Sequence, residues 1–204
     1  MTTRRYSSTN PELLAQAVFD VAADAGLDNA SVREVAKRAG VSIGAVQHHF
    51  STKDEMLVFT LRAASARLVE RVTDVASIAA GGPHDVLVAM LSEMLPLDER
   101  RSKEAHVRAA FAVRAVSVPG LADIRSRGMF AIRSAVAAVL LDAGAPDAEI
   151  RAGGLVASAE GFAASALADR QSYPTAYLQR SIAQFVDLAL RDRVEVGDAV
   201  ELAS

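Results

Sequence analysis

Hydrophobic residues recur at three- and four-residue spacing along most of the chain, and no segment holds the strict alternation of a half-buried strand. Near the N-terminus Leu14, Ala17, Val18, Val21 and Ala25 form one apolar stripe; near the C-terminus Leu178, Ile182, Phe185, Val186 and Ala189 form another. Such stripes predict amphipathic helices that bury one face against each other. Prolines at positions 11, 83, 96, 119, 146 and 174 punctuate them. Proline fits a first helical turn and disrupts an interior, so each marks a junction. The pattern predicts an all-α protein of nine helices: three in an N-terminal head, a long linking helix over residues 52–79, and five more in a C-terminal domain. The expected division is 1–51 for the head with its N-terminal arm and 52–204 for the remainder, with an acidic tail over 193–204 frayed.

Within the head, Ser31 and Glu34 stand at the spacing of a capping box, in which each side chain satisfies a free backbone N–H of the first turn. Val32, Val35, Ala36 and Ala39 then keep helical spacing, with Arg33, Lys37 and Arg38 left toward water. Gly40 supplies a residue that can adopt the left-handed conformation ending a helix. Ser42 can cap a second short helix in which Val46 and Phe50 share the buried side. Ile43, Gly44, Ala45, Gln47, His48 and His49 remain for something outside. Two short helices around a glycine turn are the layout that presents one helix to a DNA major groove.

Residues 39–57, AGVSIGAVQHHFSTKDEML, make the chain resemble the TetR family of bacterial transcriptional regulators, with the likeness extending over residues 10–61. The resemblance implies base contacts from Arg33, Ile43, Gly44, Ala45 and Gln47 and backbone contacts from His48, His49 and Lys53, with Ser42 at the start of the reading helix. Where the family usually carries an aromatic residue, most often tyrosine, this chain has Gln47, whose amide could pair with adenine N6 and N7 or touch only phosphate. The resemblance also implies a homodimer, a double-stranded operator and a small-molecule effector held among the middle helices.

Composition adds limits. The 204 residues contain no cysteine, which removes disulfides, thiol chemistry and cysteine zinc sites. No apolar run reads as a membrane span or signal peptide, so the expected location is the cytoplasm and no membrane partner is expected. The net charge of −3 does not by itself suggest nucleic acid. Residues 1–55 hold six cations (Arg4, Arg5, Arg33, Lys37, Arg38, Lys53) against seven anions, but four of the anions precede the two-helix motif. Modest non-specific DNA affinity follows.

Gly153, Ala157, Gly161 and Ser165 recur every four residues and would let a second helix approach closely, either within the chain or, with Ile182 and Phe185, across a dimer interface. Candidate effector contacts are Met90, Met94, His106, Phe111, Met129, Phe130 and Phe162. His106 shares a helix face with Ala110, Val113 and Ser117 and is either a core residue or a ligand contact. Few charges interrupt these faces, which predicts a largely apolar effector. Glu104 and Arg108 read as a solvated ion pair one turn apart, and His84 as solvated. Adjacent His48 and His49 point about 100° apart and cannot share one ion. No metal or other cofactor is expected. Nucleophile elbows, phosphate loops and metalloprotease motifs are absent, which leaves no support for an enzyme. With this reading of the residues, the TetR resemblance implies a ligand-released, DNA-binding repressor on a palindromic operator. The alternatives are a helical binding or scaffold protein without regulated DNA binding, and a metal-responsive regulator.

Overall fold

The computed structural model describes residues 10–191, so Arg4, Arg5 and the tail over 193–204 lie outside the described residues. Among the described residues all regular structure is helical: α1 (Pro11–Ala25), a 3-10 turn (Leu27–Asn29), α2 (Val32–Ala39), α3 (Ile43–His49), α4 (Lys53–Ile78), α5 (Pro83–Ser92), α6 (Glu99–Ala115), α7 (Pro119–Asp142), α8 (Ala148–Ala168) and α9 (Thr175–Leu190). All six prolines fall at or between helix starts, as their lack of an N–H demands.

Capping explains where the head helices begin. The Asn10 side chain accepts from the Glu12 N–H at 2.9 Å, Ser31 from Glu34 at 3.2 Å, Ser42 from Ala45 at 3.1 Å and Thr52 from Glu55 at 3.1 Å. At α4 the box is reciprocal, since the Glu55 carboxylate accepts from the Ser51 N–H at 2.7 Å. At α2 it is only half formed. The Ser31 N–H donates to the Asn29 carbonyl at 2.7 Å, and Glu34 turns to Lys37 at 3.7 Å. The preceding 3-10 turn has already satisfied the donor that Glu34 was expected to reach.

Two hydrophobic cores are packed end to end. The first joins Leu14, Val18 and Val21 of α1 to Val35, Val46 and Phe50, to Met56, Leu57 and Leu61 of α4, and to Val107, Phe111, Leu121 and Ile124 of α6 and α7. The second gathers Leu68 and Val72 of α4 with Met90, Leu91, Met94, Ile132, Val136, Leu155 and Ile182. The head core therefore extends into helices far along the chain. Of the two terminal stripes, Ala25 is exposed beside the helix-ending Gly26, and Phe185 keeps 41% of its surface accessible.

The helices α4 and α7 lie in close contact along their length. Gly128 of α7 is buried where they meet, and a Cβ there would press on the Ser65 hydroxyl of α4. A rotated Ser65 could yield to a methyl group but not to a long side chain. Gly128→Leu is therefore expected to lower unfolding stability by about 1–3 kcal/mol, measured by urea denaturation. Unchanged stability would show that the two helices can separate there freely.

Candidate nucleic-acid interface and interior cavity

The turn between α2 and α3 is built as its residues require. Gly40 adopts φ 69°, ψ 29°, and the Val41 N–H closes back on the Ala36 carbonyl at 3.0 Å. Val46 is fully buried and Phe50 nearly so, with the Phe50 ring 5.4 Å from that of Phe59 on α4. These anchors turn the rest of α3 outward. Arg33, Ser42, Ile43, Gly44, Gln47 and His48 are exposed, while Ala45 and His49 are half-buried. A side chain at Gly44 would meet only the Ser42 hydroxyl, at 3.9 Å. Internal packing does not demand this glycine, which leaves the backbone bare on the outer face.

Two head cations are already engaged. Arg38 pairs with Asp24 of α1 at 2.9 Å, and the Lys53 ammonium donates to the Asp28 carbonyl at 2.8 Å. Lys53 thus ties the start of α4 to the turn before α2, a contact invisible in the local sequence. Two of its ammonium protons remain for a phosphate. Nearby, Asp54 faces Arg114 of α6 at 3.5 Å, and the buried Arg114 Nε has no hydrogen-bond partner.

A cavity of about 780 Å³ opens between the two cores. Its inner surface carries Leu61 and Leu68 of α4, Val107 and Phe111 of α6 and Met129 of α7. The exposed Arg67, Asp98, Glu99, Arg100 and Lys103 also line it, at its opening. Charge penetrates further through Arg71, Glu104, Arg108, Arg125 and Glu160. Glu104 binds Arg71 at 2.5 Å and Arg100 at 3.1 Å rather than its expected partner Arg108. Glu93 bridges Arg71, Arg100 and Arg101 at 3.0–3.3 Å.

Of the sequence-predicted effector contacts, Phe111 and Met129 line this cavity. The other five lie elsewhere. Met90 and Met94 are sealed in the second core, because their faces of α5 and the following link meet α4 and the C-terminal helices. His106 is exposed and contacts its own helix at the Ser102 carbonyl, 3.0 Å away. Phe130 is 64% exposed, and Phe162 stacks edge-on against Phe185 at 5.5 Å. The walls thus combine an apolar surface with charged side chains that are largely paired to one another. His84, expected to be solvated, lies between Asp85 at 3.3 Å and Asp187 of α9 at 3.4 Å.

The small-residue row lies on the outside of α8. Ala157 and Gly161 are exposed, Gly153 and Ser165 half-buried, and a Cβ at either Gly153 or Gly161 would meet nothing within 4 Å. Packing within the chain therefore does not account for it. Beside it stand the exposed Ile150, Phe185 and Leu188, whereas Ile182 is fully buried inside the subunit and cannot belong to an outer face.

Comparison with known proteins agrees with this geometry. Residues 14–58 match the bacterial regulatory proteins of the tetR family, and residues 83–191 match the BetI-type transcriptional repressor C-terminal family. The HTH-type transcriptional regulator PksA of Bacillus subtilis is 32% identical over 85% of this chain and 86% of its own. The chain belongs to the TetR family of bacterial transcriptional regulators. A transcriptional regulator from Rhodococcus sp. Rha1 has 53% identity and a TM-score of 0.84, covering 89% of this chain and 96% of that one. A putative regulator from Saccharomonospora viridis, solved in complex with choline, shares the fold at 17% identity, with a TM-score of 0.79 and coverage of 87% and 95%.

Membership makes this chain a DNA-binding regulator rather than an enzyme. Among the described residues, no cluster of His, Asp and Glu could hold a metal, and no helix is long and apolar enough to cross a membrane.

Asp98 joins the cavity mouth to the start of α6: its carboxylate accepts from the Arg101 N–H at 2.8 Å and pairs with the Arg101 guanidinium at 2.8 Å. The backbone N–H is the main reason its pKa is lowered, with the Arg101 charge adding to it. A depressed carboxylate stabilises the fold above its unfolded pKa and loses that contribution as pH falls through the folded value. Asp98→Ala should cost about 1 kcal/mol near neutral pH. That cost should fade in denaturation curves taken below the ordinary carboxylate range. A cost independent of pH would mean that the cap works without its charge.

Proposed function

We propose that this TetR-family chain is a homodimeric repressor, released from a palindromic operator when a small molecule fills the cavity between its two cores. Residues 1–51 read DNA; residues 52–204 bind the effector and dimerise, with α4 serving both. The observation that carries this reading is the outer face of α3, where Ile43, Gly44, Gln47 and His48 are exposed while Val46 and Phe50 lock the helix from behind. Two such helices related by a twofold axis reach half-sites about 34–36 Å apart. The match to a BetI-type repressor domain supports repression, and the choline bound by a protein of the same fold supports a small organic effector. Arg33, Ser42, Ile43, Gly44, Ala45 and Gln47 meet the groove, and His48, His49 and Lys53 the backbone.

A second reading, a helical binding protein without regulated DNA binding, draws on the internal engagement of Arg38 and Lys53. Sequencing genomic DNA retained by the purified protein separates the two. A recurring palindrome with salt-dependent retention supports the repressor, and no enrichment supports the alternative.

Two variants test the parts. Gln47→Ala should lower affinity for the recovered operator by about 1–3 kcal/mol, leave non-specific affinity nearly unchanged and relax one position in each half-site. Selection from randomised operators reads this, and identical base preferences would restrict Gln47 to phosphate. Gly161→Leu has room in the subunit but would overpack a close helix approach across a dimer. Sedimentation should find helical monomers that no longer bind the operator. An intact dimer of unchanged affinity would move the interface elsewhere.

A further inference from the structure

The charges around the cavity can be paired off almost completely. Arg71, Arg100 and Arg101 share Glu93, Glu104 and Asp98 at 2.5–3.3 Å. Arg125 holds Glu160 at 3.1 Å, and Lys103 holds Glu99 at 3.0 Å. The Gln16 amide links Arg67 and Asp20 at 2.9 and 2.8 Å, accepting from one and donating to the other. Of the arginines behind the exposed opening, one has no carboxylate partner. Arg108 of α6 lines the cavity, and its hydrogen bond runs from Nη2 to the Met94 carbonyl. Among the described residues no carboxylate lies within ion-pair distance of its guanidinium.

A guanidinium in this position carries an unmet cost. Burial lowers its pKa, against the opposing fields of Glu104 and Glu160, yet arginine stays protonated at neutral pH. The charge must therefore be met by solvent or by a ligand. Beside it, Leu61, Leu68, Val107, Phe111 and Met129 form an apolar surface in a space that falls within the usual range for small-molecule sites, about 300–1,000 Å³.

We infer that the effector is an amphiphilic monoanion, with a carboxylate or similar planar oxyanion on the Arg108 fork and an apolar body against Phe111 and Met129. This deepens the effector-release reading above and rests on it. A cationic ligand is disfavoured because both carboxylates beside Arg108, Glu104 and Glu160, already hold arginine partners. The planar fork of arginine suits a carboxylate bidentately, which a lysine at this site could not reproduce.

Calorimetric titration of the full chain tests the idea, using straight-chain and aryl monocarboxylates, their primary amides and their trimethylammonium counterparts. At least one carboxylate should bind about tenfold or more tightly than its amide, since a hydrogen bond to a charged group supplies about that factor. Arg108→Gln, which removes the charge and keeps a neutral amide donor, should reduce carboxylate binding to the level of the amide, and Arg108→Lys should fall between. If Arg108→Gln fails to fold, the preference of the unaltered protein still decides. Amides or trimethylammonium compounds binding as tightly as carboxylates, or no carboxylate binding at all, overturns the inference. These titrations contain no DNA. Loss of the operator reading would appear in the retention experiment instead, so the two failures are distinguishable.

Discussion

The helix α4 has to satisfy two hydrophobic cores with one continuous rod, and most of what the molecule can do follows from where the change occurs. Met56, Leu57 and Leu61 face the head, whereas Leu68 and Val72, further along the same helix, face the C-terminal bundle. The cavity occupies the seam. Leu61 and Phe111 on its surface belong to the head core, and Leu68 to the other. A bound molecule would therefore touch the residues that hold the reading helices in place. It can bias the head only by its difference in affinity between two arrangements, and a hundredfold change in DNA binding needs about 2.7 kcal/mol of such difference. Ser65, between Leu61 and Leu68, also lines the cavity and meets Gly128 of α7. Any rolling of α4 must repack that contact.

The local features of the head were legible because their causes are local. Ser31, Gly40, Ser42 and the spacing of Val46 and Phe50 dictate a turn and two short helices before any long-range packing is known. The same reasoning placed α4 within one residue at each end. It misjudged α6 for a definable reason. The apolar-looking set His106, Ala110 and Val113 suggests an inner face, but at about 100° per residue Glu104, Val107, Arg108 and Ala115 fall on the side of Phe111. That is the buried side, with Phe111 at 1% exposure and Val113 at 76%. The largest apolar residue of the helix was the signal for its orientation. Its consequence would have been two charges facing inward. Contacts such as Lys53 with the Asp28 carbonyl join residues 25 apart and had no local signature.

A second, shallower hollow of about 460 Å³ lies on the far side of the Arg125–Glu160 pair, lined by Gly153, Ala157 and Met129. Arg125, Glu160 and Met129 are common to both spaces. One ion pair and one flexible thioether thus separate the interior cavity from the outer face of α8. Methionine is the most adaptable of the apolar side chains, so Met129 gives the boundary between the two spaces an unbranched, easily repacked wall.

The internal ties of the head's cations bear on how the protein would spend its time in a cell. Among the described residues before α4, Arg38 is held by Asp24 and Lys37 lies near Glu34, which leaves Arg33 as a guanidinium with no carboxylate partner. Each phosphate neutralised adds to the ion release that drives attachment to any duplex, and among the described residues of the head it is Arg33, with the remaining protons of Lys53, that can supply it without breaking an ion pair. For the repressor proposed above, bulk chromosome would then be a weak sink, and a larger share of the molecules would stay in free solution between encounters. A modest copy number could keep an operator filled, and newly made effector would meet mostly unattached dimers.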